Sequence, residues 1–594
     1  MRRLTVLFGS QTGSAEEVAE RVGRDASRRA FEPVRVCALD AYDRGELVNE
    51  ELVVLVVATT GDGDPPDNMR QFWRFILRKG LPGDVLQGLR FVVFGLGDSS
   101  YAKYNVMAKK LRNRLLQLGA TEVATRGFGD DQSQYGLEGD LDRWLPTMWE
   151  QVLALYPLPK GYVVDDSPRL FKPRNAKVAV EEGGVMDAAA SIQARCALLA
   201  TQRPLGCYET ELLTARVRKN ERLTAPDWEQ DVRHVELDVV SGPCPPYVAG
   251  DIAVVFVENV IPDEVLAKYL NKLGLAGPDA VVSVLLTPED TVPRRVTMRD
   301  LFCKYLDVLG TPRRRFFEAL YFFTSDEDEK EKFEEFCSPE GTDLFFAYCK
   351  KERKTYLEVF DDFQTCRPPL EYLVEMIPPL GPREYSIASS RVAHGDSAVH
   401  LCIAVLEYTT PWGRKKKGVA SRWVQERLAT SSEVNLYIKR GSLRAPADAA
   451  TPLVMIGPGT GVAPMRALIH ERGSSASHLY FGCRSQAKDY YYAEEWQGLV
   501  AAGKLGSVRT AFSRDQQRKI YVQNLLREDH EALHNILVRQ GGVVFISGSA
   551  ERMPTEVREA IVEALGKHME SADEAKAFVA RCEREGRLKI EAWS

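Results

Sequence analysis

Short, continuously apolar runs alternate with amphipathic helix patterns over residues 1–156. The runs LTVLFGS, ELVVLVVATT and LRFVVFGLG are typical of strands buried on both faces of a sheet. After the first run, Ala15, Val18, Ala19 and Val22 recur at i, i+3, i+4 and i+7, the spacing of one buried helix face. Because buried parallel strands need helices on both sides, the pattern predicts a doubly wound, flavodoxin-like α/β domain over residues 1–156.

The chain of 594 residues is too long for one hydrophobic core, and shifts in pattern indicate further domains. Residues 157–206 hold several prolines, a Gly-Gly pair and mixed charge, which predicts an interdomain linker. Residues 207–447 contain short β patterns, interrupted at about 262–373 by helical sequence, and predict an antiparallel β-barrel with a helical insertion. Over residues 448–594 the α/β alternation resumes and predicts a second parallel-sheet domain.

Composition narrows the class of protein. With 44% hydrophobic and 27% charged residues, the composition is ordinary for a globular protein. The net charge of -6 argues against nucleic-acid binding as the main function. The eleven cysteines lack C-x-x-C spacing, which indicates a reducing compartment. The N-terminus resembles a core strand, and no segment reaches the roughly 20 apolar residues of a spanning helix. We therefore expect a cytoplasmic, monomeric protein with no membrane anchor.

Three polar, glycine-containing loops follow the apolar runs of the first domain. The first, Ser10–Ser14, lies directly between a strand and a helix, where N–H groups and hydroxyls suit a phosphate. A hydroxyl-rich helix cap is the alternative interpretation of this loop alone. The loops Ala58–Asp64 and Leu96–Tyr101 follow the next strands. Ligands bind at the carboxyl ends of strands in such sheets, so the three loops predict one site.

These loops resemble the FMN-binding loops of diflavin reductases of the cytochrome P450 reductase type. The resemblance implies FMN, with Tyr101 stacking on the isoalloxazine ring unless it is a core tyrosine, and Asp131 beside the flavin. Thr60 stands where relatives with a second stacking aromatic usually have Tyr, so we expect one flavin face to be less covered. The implied FMN contacts are Ser10, Gln11, Thr12, Gly13, Ser14, Ala15, Ala58, Thr59, Thr60, Gly61, Leu96, Gly97, Asp98, Ser99, Ser100, Tyr101, Ala102, Lys103, Tyr104, Asn105 and Asp131.

A second pair of motifs indicates another flavin. The tetrapeptide REYS at Arg383–Ser386 alone is typical of a plain strand, but GVAS at Gly418–Ser421 follows it and offers N–H and hydroxyl donors to phosphate. Together they resemble the FAD signature of ferredoxin-NADP reductase-like barrels, in which the arginine neutralises pyrophosphate and the tyrosine packs on the ring. The implied FAD contacts are Arg353, Arg383, Glu384, Tyr385, Ser386, Gly418, Val419, Ala420 and Ser421, with accessory contacts from Cys402, Ala404 and Tyr408.

The turn Gly457–Pro464 follows an apolar strand and predicts a pyrophosphate cradle. Its proline in place of a final glycine matches the ferredoxin-NADP reductase family. Downstream cations and hydroxyls can hold the 2′-phosphate that distinguishes NADP from NAD, although a solvated basic loop is the alternative. The implied NADPH contacts are Thr460, Ser513, Arg514, Lys519, Ile520, Tyr521, Val522, Gln523 and Trp593.

The same family places a serine, a cysteine and a carboxylate around the reacting atoms of nicotinamide and flavin. Ser386, Cys483 and Glu591 match these catalytic positions, and Trp593 matches the aromatic that covers the FAD ring. Glu591 departs from the more usual aspartate. Taken singly, the cysteine could be inert packing and the tryptophan a docking aromatic.

The sequence His530–His534 reads H-E-x-x-H, the helix signature of zinc proteases. No third ligand is evident in the sequence, so we expect a solvated helix and no metal.

The order of the domains resembles that of P450 reductase-type diflavin reductases over nearly the whole chain. This implies an enzyme that passes electrons from NADPH through FAD and FMN to a one-electron acceptor protein. The stretches FGSQTG and ATTGDGDPPDNMRQFWRF and the short linker most resemble the cytosolic branch of the family, whose acceptor is anamorsin, an iron-sulfur protein of cytosolic iron-sulfur cluster assembly. The alternatives are a methionine synthase reductase-like electron donor and a flavin-free binding scaffold.

Acidic residues gather in the loops that are predicted to surround FMN. Like charges beside a redox centre can steer a basic acceptor into contact, although loop aspartates also commonly serve turn geometry. The cluster consists of Asp62, Asp64, Asp67, Asp98, Asp130 and Asp131.

Overall fold

The computed structural model describes residues 2–593 except 62, 102, 174, 176–177, 182–185, 187–194, 198, 201–202 and 287–292. These residues form two units. The first unit comprises Met1–Lys172, Thr311–Lys354 and Asp361–Pro368, and the second comprises Pro173–Gly310, Thr355–Phe360 and Pro369–Ser594. Slightly less than half of the predicted helical insertion, Thr311–Lys354 and Asp361–Pro368, therefore belongs to the same unit as the N-terminal domain.

A parallel sheet forms the centre of the first unit, as the apolar runs predict. Its strands are Leu4–Gly9, Val34–Ala38, Leu52–Ala58, Arg90–Gly97, Thr121–Glu122 and Gly127–Asp130. The spatial order is second, first, third, fourth and fifth, and the sixth strand also pairs with the fourth. This crossing order needs helical connections on both faces.

Helices cover both faces of this sheet. Ser14–Arg28 and Gly136–Leu155 pack on one face, and Arg70–Ile76 and Val106–Gln117 pack on the other. The first helix buries Ala15, Val18, Ala19 and Val22, which confirms the predicted helical face. The doubly wound fold is thus confirmed, and the polar loops leave the sheet at its carboxyl edge.

A helical segment, residues 311–354, also belongs to the first unit. Its helices are Arg314–Leu320, Glu327–Cys337 and Thr342–Phe345, followed by the π-helix Phe346–Lys351. Phe317 lies at the centre of its aromatic core, 5.0 Å from the ring of Phe336 and 6.1 Å from that of Phe345.

The second unit contains the predicted antiparallel barrel. Its strands in spatial order are Arg383–Ser386, Ile252–Val255, Glu433–Lys439, Leu213–Arg222, Val232–Val239 and Ala398–Ala404. A bridge between Ile387 and Leu401 joins the first strand to the last and closes the ring. Alternate residues such as Val235, Leu237 and Leu401 fill the interior. The hairpin Glu407–Thr409 with Lys415–Lys417 and the helices Arg391–His394 and Val419–Glu426 are attached to it.

A small three-stranded sheet differs from the sequence prediction. Val281–Val284 pairs with Arg294–Thr297 and with Ala179–Glu181, although two of these strands lie in the predicted helical insertion and one lies in the predicted linker. Strands of three or four residues carry little periodicity, and pairing across about a hundred residues has no local signal. The helices of this part are Asp263–Lys272, Met298–Asp300, Tyr356–Asp362 and Leu370–Met376, with the π-helix Leu301–Tyr305.

The C-terminal sheet of the second unit is parallel, as predicted. Its strands in spatial order are Leu505–Phe512, Ser474–Cys483, Leu453–Ile456, Val543–Ser549 and Leu588–Trp593. The accompanying helices are Val462–Arg472, Gln486–Asp489, Ala493–Ala501, Val522–Glu528, His530–His534, Met553–Gly566 and Ala572–Arg584, with the π-helix Asn535–Arg539. Within the described residues, none of the helices has both the length and the apolar character to cross a membrane.

A buried ion pair fastens the helical segment to the helix Gly136–Leu155. Asp142 accepts hydrogen bonds from Arg314 Nη1 at 2.8 Å, Arg21 Nη2 at 2.7 Å and Thr342 Oγ1 at 2.5 Å. The side chains of Arg314 and Asp142 are only 4% and 6% exposed. Little solvent reaches the pair, so water cannot replace either charge, and without Asp142 the Arg314 guanidinium would keep only the more distant Glu138, 3.6 Å from its Nε.

We therefore expect Asp142→Ala to destabilise the first unit by roughly 3–5 kcal/mol, because it leaves the Arg314 guanidinium buried without its counter-charge. Hydrogen exchange of the amides in Arg314–Leu320 measures the loss. Glu150→Ala, on an exposed position of the same helix, is the control and should leave exchange unchanged. Equal exchange in both variants would contradict the role of the pair.

Candidate functional site

The predicted phosphate loop joins the strand Leu4–Gly9 to the helix Ser14–Arg28. Gly13 is left-handed, with φ of 88°, a conformation that glycine adopts without strain. Its N–H donates to Ser10 Oγ at 3.0 Å, and the Ser10 N–H donates to Asn68 Oδ1 at 2.8 Å. No described side chain caps the helix, so the N–H groups of its first turn remain for an anion. This donor set fits the phosphate of FMN.

The second loop is tied to the third. The Thr59 N–H donates to Leu96 O at 3.0 Å, and Thr59 Oγ1 accepts from the Met107 N–H at 3.3 Å. Thr60 Oγ1 donates to Asp64 O at 3.1 Å within its own loop. The hydroxyl of Thr60 is therefore committed locally, and the position offers no aromatic face to a flavin.

The third loop closes the site. Asp98 accepts from the Ser100 N–H at 2.8 Å, and the Asp131 N–H donates to Gly97 O at 3.0 Å. Asn105 is fully buried with φ of 52°, and its amide donates to Gly129 O at 3.1 Å. Tyr101 is half-buried at this edge. The predicted contact Ala102 and the acidic-cluster residue Asp62 lie outside the described residues.

The structure thus brings the three predicted loops together. Asn68, which holds Ser10, was missed by the sequence analysis because it lies in a short 3-10 turn with no motif of its own. Only the folded chain shows that it faces the phosphate loop.

The FAD motifs meet on the barrel of the second unit. Gly418 is the N-cap of the helix Val419–Glu426, and no side chain in the described part of the chain caps it, so its N–H groups fit a pyrophosphate. Ser421 Oγ accepts from the Leu406 N–H at 2.8 Å, while Arg383 Nη1 donates to Gly381 O at 2.7 Å. Glu384 is paired with Lys439 at 2.7 Å.

The remaining predicted FAD residues have different surroundings. Burial raises the pKa of Tyr385 to about 12, which fits a packed aromatic. Cys402 is buried, and burial raises the pKa of its thiol to about 12, an effect that the neighbouring Tyr492 opposes. Ala404 is half-buried and Tyr408 is exposed. Arg353 belongs to the first unit, where it has φ of 49°.

The glycine turn of the NADPH motif is fixed by close packing. A Cβ on Gly461 would lie 2.0 Å from Ser547 O, and one on Gly457 would lie 2.7 Å from Gly461 O. Gly459 has φ of 57° and open space at its Cβ position, the side on which a ligand can approach. Gly461 caps the helix Val462–Arg472 without a side-chain hydrogen bond from any described residue. The turn therefore fits a pyrophosphate.

Two arginines converge near the predicted 2′-phosphate position. Arg514 Nη1 and Arg484 Nη1 donate to the same Glu229 oxygen at 2.6 Å and 2.7 Å. The sequence analysis missed Glu229 because it is 285 positions from Arg514. Lys519 and Tyr521, which are close to Arg514 in the sequence, are exposed. The side-chain amide of Gln523 donates to Glu556 Oε2 at 2.7 Å.

Two of the predicted catalytic residues are in contact. Ser386 Oγ donates to Glu591 Oε1 at 2.7 Å, and Ser442 Oγ donates to Glu591 Oε2 at 3.2 Å. Burial raises the pKa of the Glu591 carboxyl, with the hydroxyl hydrogen bonds opposing the shift. The glutamate thus reaches the serine as a hydrogen-bond acceptor.

Cys483 and Trp593 lie at the carboxyl ends of two different strands of the C-terminal sheet. Among the described contacts, none joins Cys483 to the Ser386–Glu591 pair. Burial and the adjacent Asp489 raise the pKa of its thiol, so it remains protonated. The Trp593 side chain is 38% exposed at the end of the last strand.

Two clusters of histidines are relevant to the sequence-based expectation that the protein binds no metal. The helix His530–His534 meets His568, whose Nε2 lies 2.7 Å from His530 Nδ1, so these nitrogens are hydrogen-bond partners of each other. His234, Glu236 and His400 also place ligand atoms within 4.8 Å of one another. Arg466 Nη1 lies 3.5 Å from His400 Nδ1, and its positive charge opposes a cation there.

Comparison with known proteins agrees with this architecture. The flavodoxin model matches residues 6–144, the FAD binding domain model matches 208–423, and the oxidoreductase NAD-binding domain model matches 455–559. This order of domains defines a diflavin reductase. The predicted cofactors FMN, FAD and NADPH are confirmed.

Relatives extend the match over the whole chain. NADPH-dependent diflavin oxidoreductase 1 of Danio rerio is 40% identical over 99% of both chains, and that of Xenopus laevis is 39% identical over 100% of both. The Arabidopsis thaliana protein of the same name is 36% identical over 100% of this chain and 99% of its own. This chain belongs to the NADPH-dependent diflavin oxidoreductase family.

We expect Arg514→Ala to raise the KM for NADPH about 10- to 150-fold, because a charge-assisted hydrogen bond contributes about 1.5–3 kcal/mol. The KM for NADH should change little, since NADH lacks the 2′-phosphate. Steady-state kinetics with both nucleotides measures the difference. Glu229→Gln, which removes the carboxylate that competes for the guanidinium, should lower the KM for NADPH. Equal effects of Arg514→Ala on both nucleotides would remove this residue from phosphate recognition.

Proposed function

We propose that this NADPH-dependent diflavin reductase delivers single electrons to an iron-sulfur acceptor protein, anamorsin, in cytosolic iron-sulfur cluster assembly. The bound flavins supply the conversion of a two-electron hydride donor into single-electron transfers. In this proposal, the side chains and loops of this chain bind the cofactors, orient their reacting rings and exclude water.

One observation carries the electron-transfer part of the proposal. Among the described helices of eight or more residues, three have glycine as N-cap: Ser14–Arg28, Val419–Glu426 and Val462–Arg472. One lies in each matched domain. Glycine has no side chain with which to cap the helix, so each first turn keeps N–H donors for a phosphate.

At the second and third of these turns the chain would hold FAD and the nucleotide. We assign Ser386 and Glu591 to orienting the reacting rings, because their hydrogen bond fixes a hydroxyl and a carboxyl of raised pKa at the barrel edge. We assign Trp593, exposed at the end of the last strand, to covering the flavin ring when no nicotinamide is bound. The methionine synthase reductase-like and scaffold alternatives gain support from no described feature.

The acceptor would dock on the acidic loops of the first unit. Asp98 accepts from the Ser100 N–H within its own loop, and Asp130 accepts from the Ser99 N–H of that same neighbouring loop. Asp67 pairs with Arg70 at 2.9 Å. These carboxylates therefore serve turn geometry as well as the local field. The exposed Asp64 has its carboxylate free of such a turn role, so it offers the cleaner test of steering.

We expect Asp64→Lys to slow anamorsin reduction roughly 3- to 10-fold at low ionic strength, with the difference shrinking as salt screens the charges. Reduction of ferricyanide by NADPH should be unchanged, because a small oxidant needs no docking surface. Stopped-flow kinetics at two salt concentrations measures both reactions.

Asp84→Lys is the matched control, since Asp84 is exposed and precedes the strand Arg90–Gly97 at the amino edge of the sheet. It changes net charge equally and should affect neither reaction. Loss of both activities in Asp64→Lys would assign that loop to FMN binding or folding. Loss of neither would place the acceptor on another surface.

A further inference from the structure

Arg313, at the start of the helical segment, contacts the phosphate loop of the first unit. Its Nη2 donates to Thr12 O at 2.9 Å and its Nη1 donates to Gly13 O at 3.3 Å. Its Nε lies 3.4 Å from Glu17 Oε2. A residue 301 positions away in the sequence therefore touches the turn to which the FMN phosphate is assigned.

The loop is shaped to admit this guanidinium. A Cβ on Gly13 would lie 2.9 Å from Arg313 Nη2 and 3.0 Å from Nη1. Glycine at position 13 therefore serves two needs, a left-handed φ and a close approach of the arginine. Such a fit indicates a specific contact rather than a side chain resting on a surface.

The contact also reinforces the direction of the loop's donors, together with the Glu17 N–H, which donates to Gly13 O at 3.0 Å. In a trans peptide the C=O and N–H groups point in opposite directions. With Gly13 O held by Arg313, the N–H of Ser14 is directed to the other side of the loop. That N–H is one of the first-turn donors available to an anion.

The charges around the loop Ser10–Ser14 also support a role for Arg313. The loop Ser10–Ser14 contains no cationic side chain, and Glu16 and Glu17 follow it in the first turn of the helix. Burial raises the pKa of Glu17, and Arg313 opposes that shift. A phosphate dianion beside these carboxylates needs a compensating positive charge, and Arg313 brings one within the same unit.

We propose that Arg313 is a positioning residue for the FMN phosphate, which it favours by orienting the Thr12–Ser14 backbone and by adding positive charge to the loop. The inference rests on the proposed placement of that phosphate at Ser10–Ser14. Because linkage is reciprocal, a bound phosphate strengthens the seating of the helical segment on the N-terminal sheet.

The test compares FMN with riboflavin, which has the same ring and no phosphate. Full-length enzyme depleted of FMN but retaining FAD is titrated with each flavin, and quenching of flavin fluorescence gives the two Kd values. Arg313→Met should weaken FMN binding about tenfold or more, on the scale of a lost charge-assisted contact, and leave riboflavin binding within about twofold. Arg313→Lys, which keeps the charge, should restore part of the FMN affinity.

Arg315→Met is the matched control. Arg315 comes from the same helix but pairs with Glu20, one turn further along the helix Ser14–Arg28. Its replacement should leave the ratio of FMN to riboflavin affinity unchanged. As a second readout, FMN but not riboflavin should slow hydrogen exchange in Arg314–Leu320, and Arg313→Met should abolish that difference.

An unchanged FMN preference in Arg313→Met would overturn the inference, as would equal weakening of both flavins, which would indicate a merely structural role. The proposed phosphate site is checked separately with Thr12→Val and with the wild-type protein. A wild-type enzyme that binds riboflavin as tightly as FMN would overturn both the inference and the placement of the phosphate. Preference lost in Thr12→Val but kept in Arg313→Met would overturn the inference alone.

Discussion

The structure depends on one recurring arrangement, a strand that is followed by a glycine turn and then by a helix that no described side chain caps. Gly13, Gly418 and Gly461 each occupy the N-cap. The backbone N–H groups left unpaired there cost free energy in isolation and are compensated when a phosphate binds. Three cofactors can therefore be held by the same physical device in three different folds.

Around these turns, the surrounding sheets decide which side chains can work together. Parallel strands present their carboxyl ends at one edge, so loops distant in sequence converge in the first unit. The barrel likewise helps to bring residues that are distant in the sequence together in the second unit. Ser386 lies at the end of a barrel strand and Glu591 on the last strand of the C-terminal sheet, 205 positions apart, yet they share a 2.7 Å hydrogen bond.

Arginines contributed from elsewhere in the chain complete the anion sites. Arg313 supports the phosphate loop in the first unit, and Arg514 shares Glu229 with Arg484 in the second. Arg466 instead takes the place of a cation between histidines, where burial and its charge lower the pKa of His400 to about 2. The guanidinium fork of Arg313 reaches two carbonyl oxygens at once, and that of Arg466 reaches Glu495 and Ala388 O.

The sequence by itself determined the two parallel sheets, the barrel and the three glycine turns, because apolar periodicity and turn residues act over neighbouring positions. It also indicated Ser386, Glu591 and Arg514 as candidate site residues. Only the tertiary structure showed Asn68 and Arg313 at the phosphate loop, Glu229 beside Arg514, and the short sheet built from Ala179–Glu181, Val281–Val284 and Arg294–Thr297. These depend on contacts between distant segments, which are fixed by packing and charge in the folded chain and leave no local pattern in the sequence.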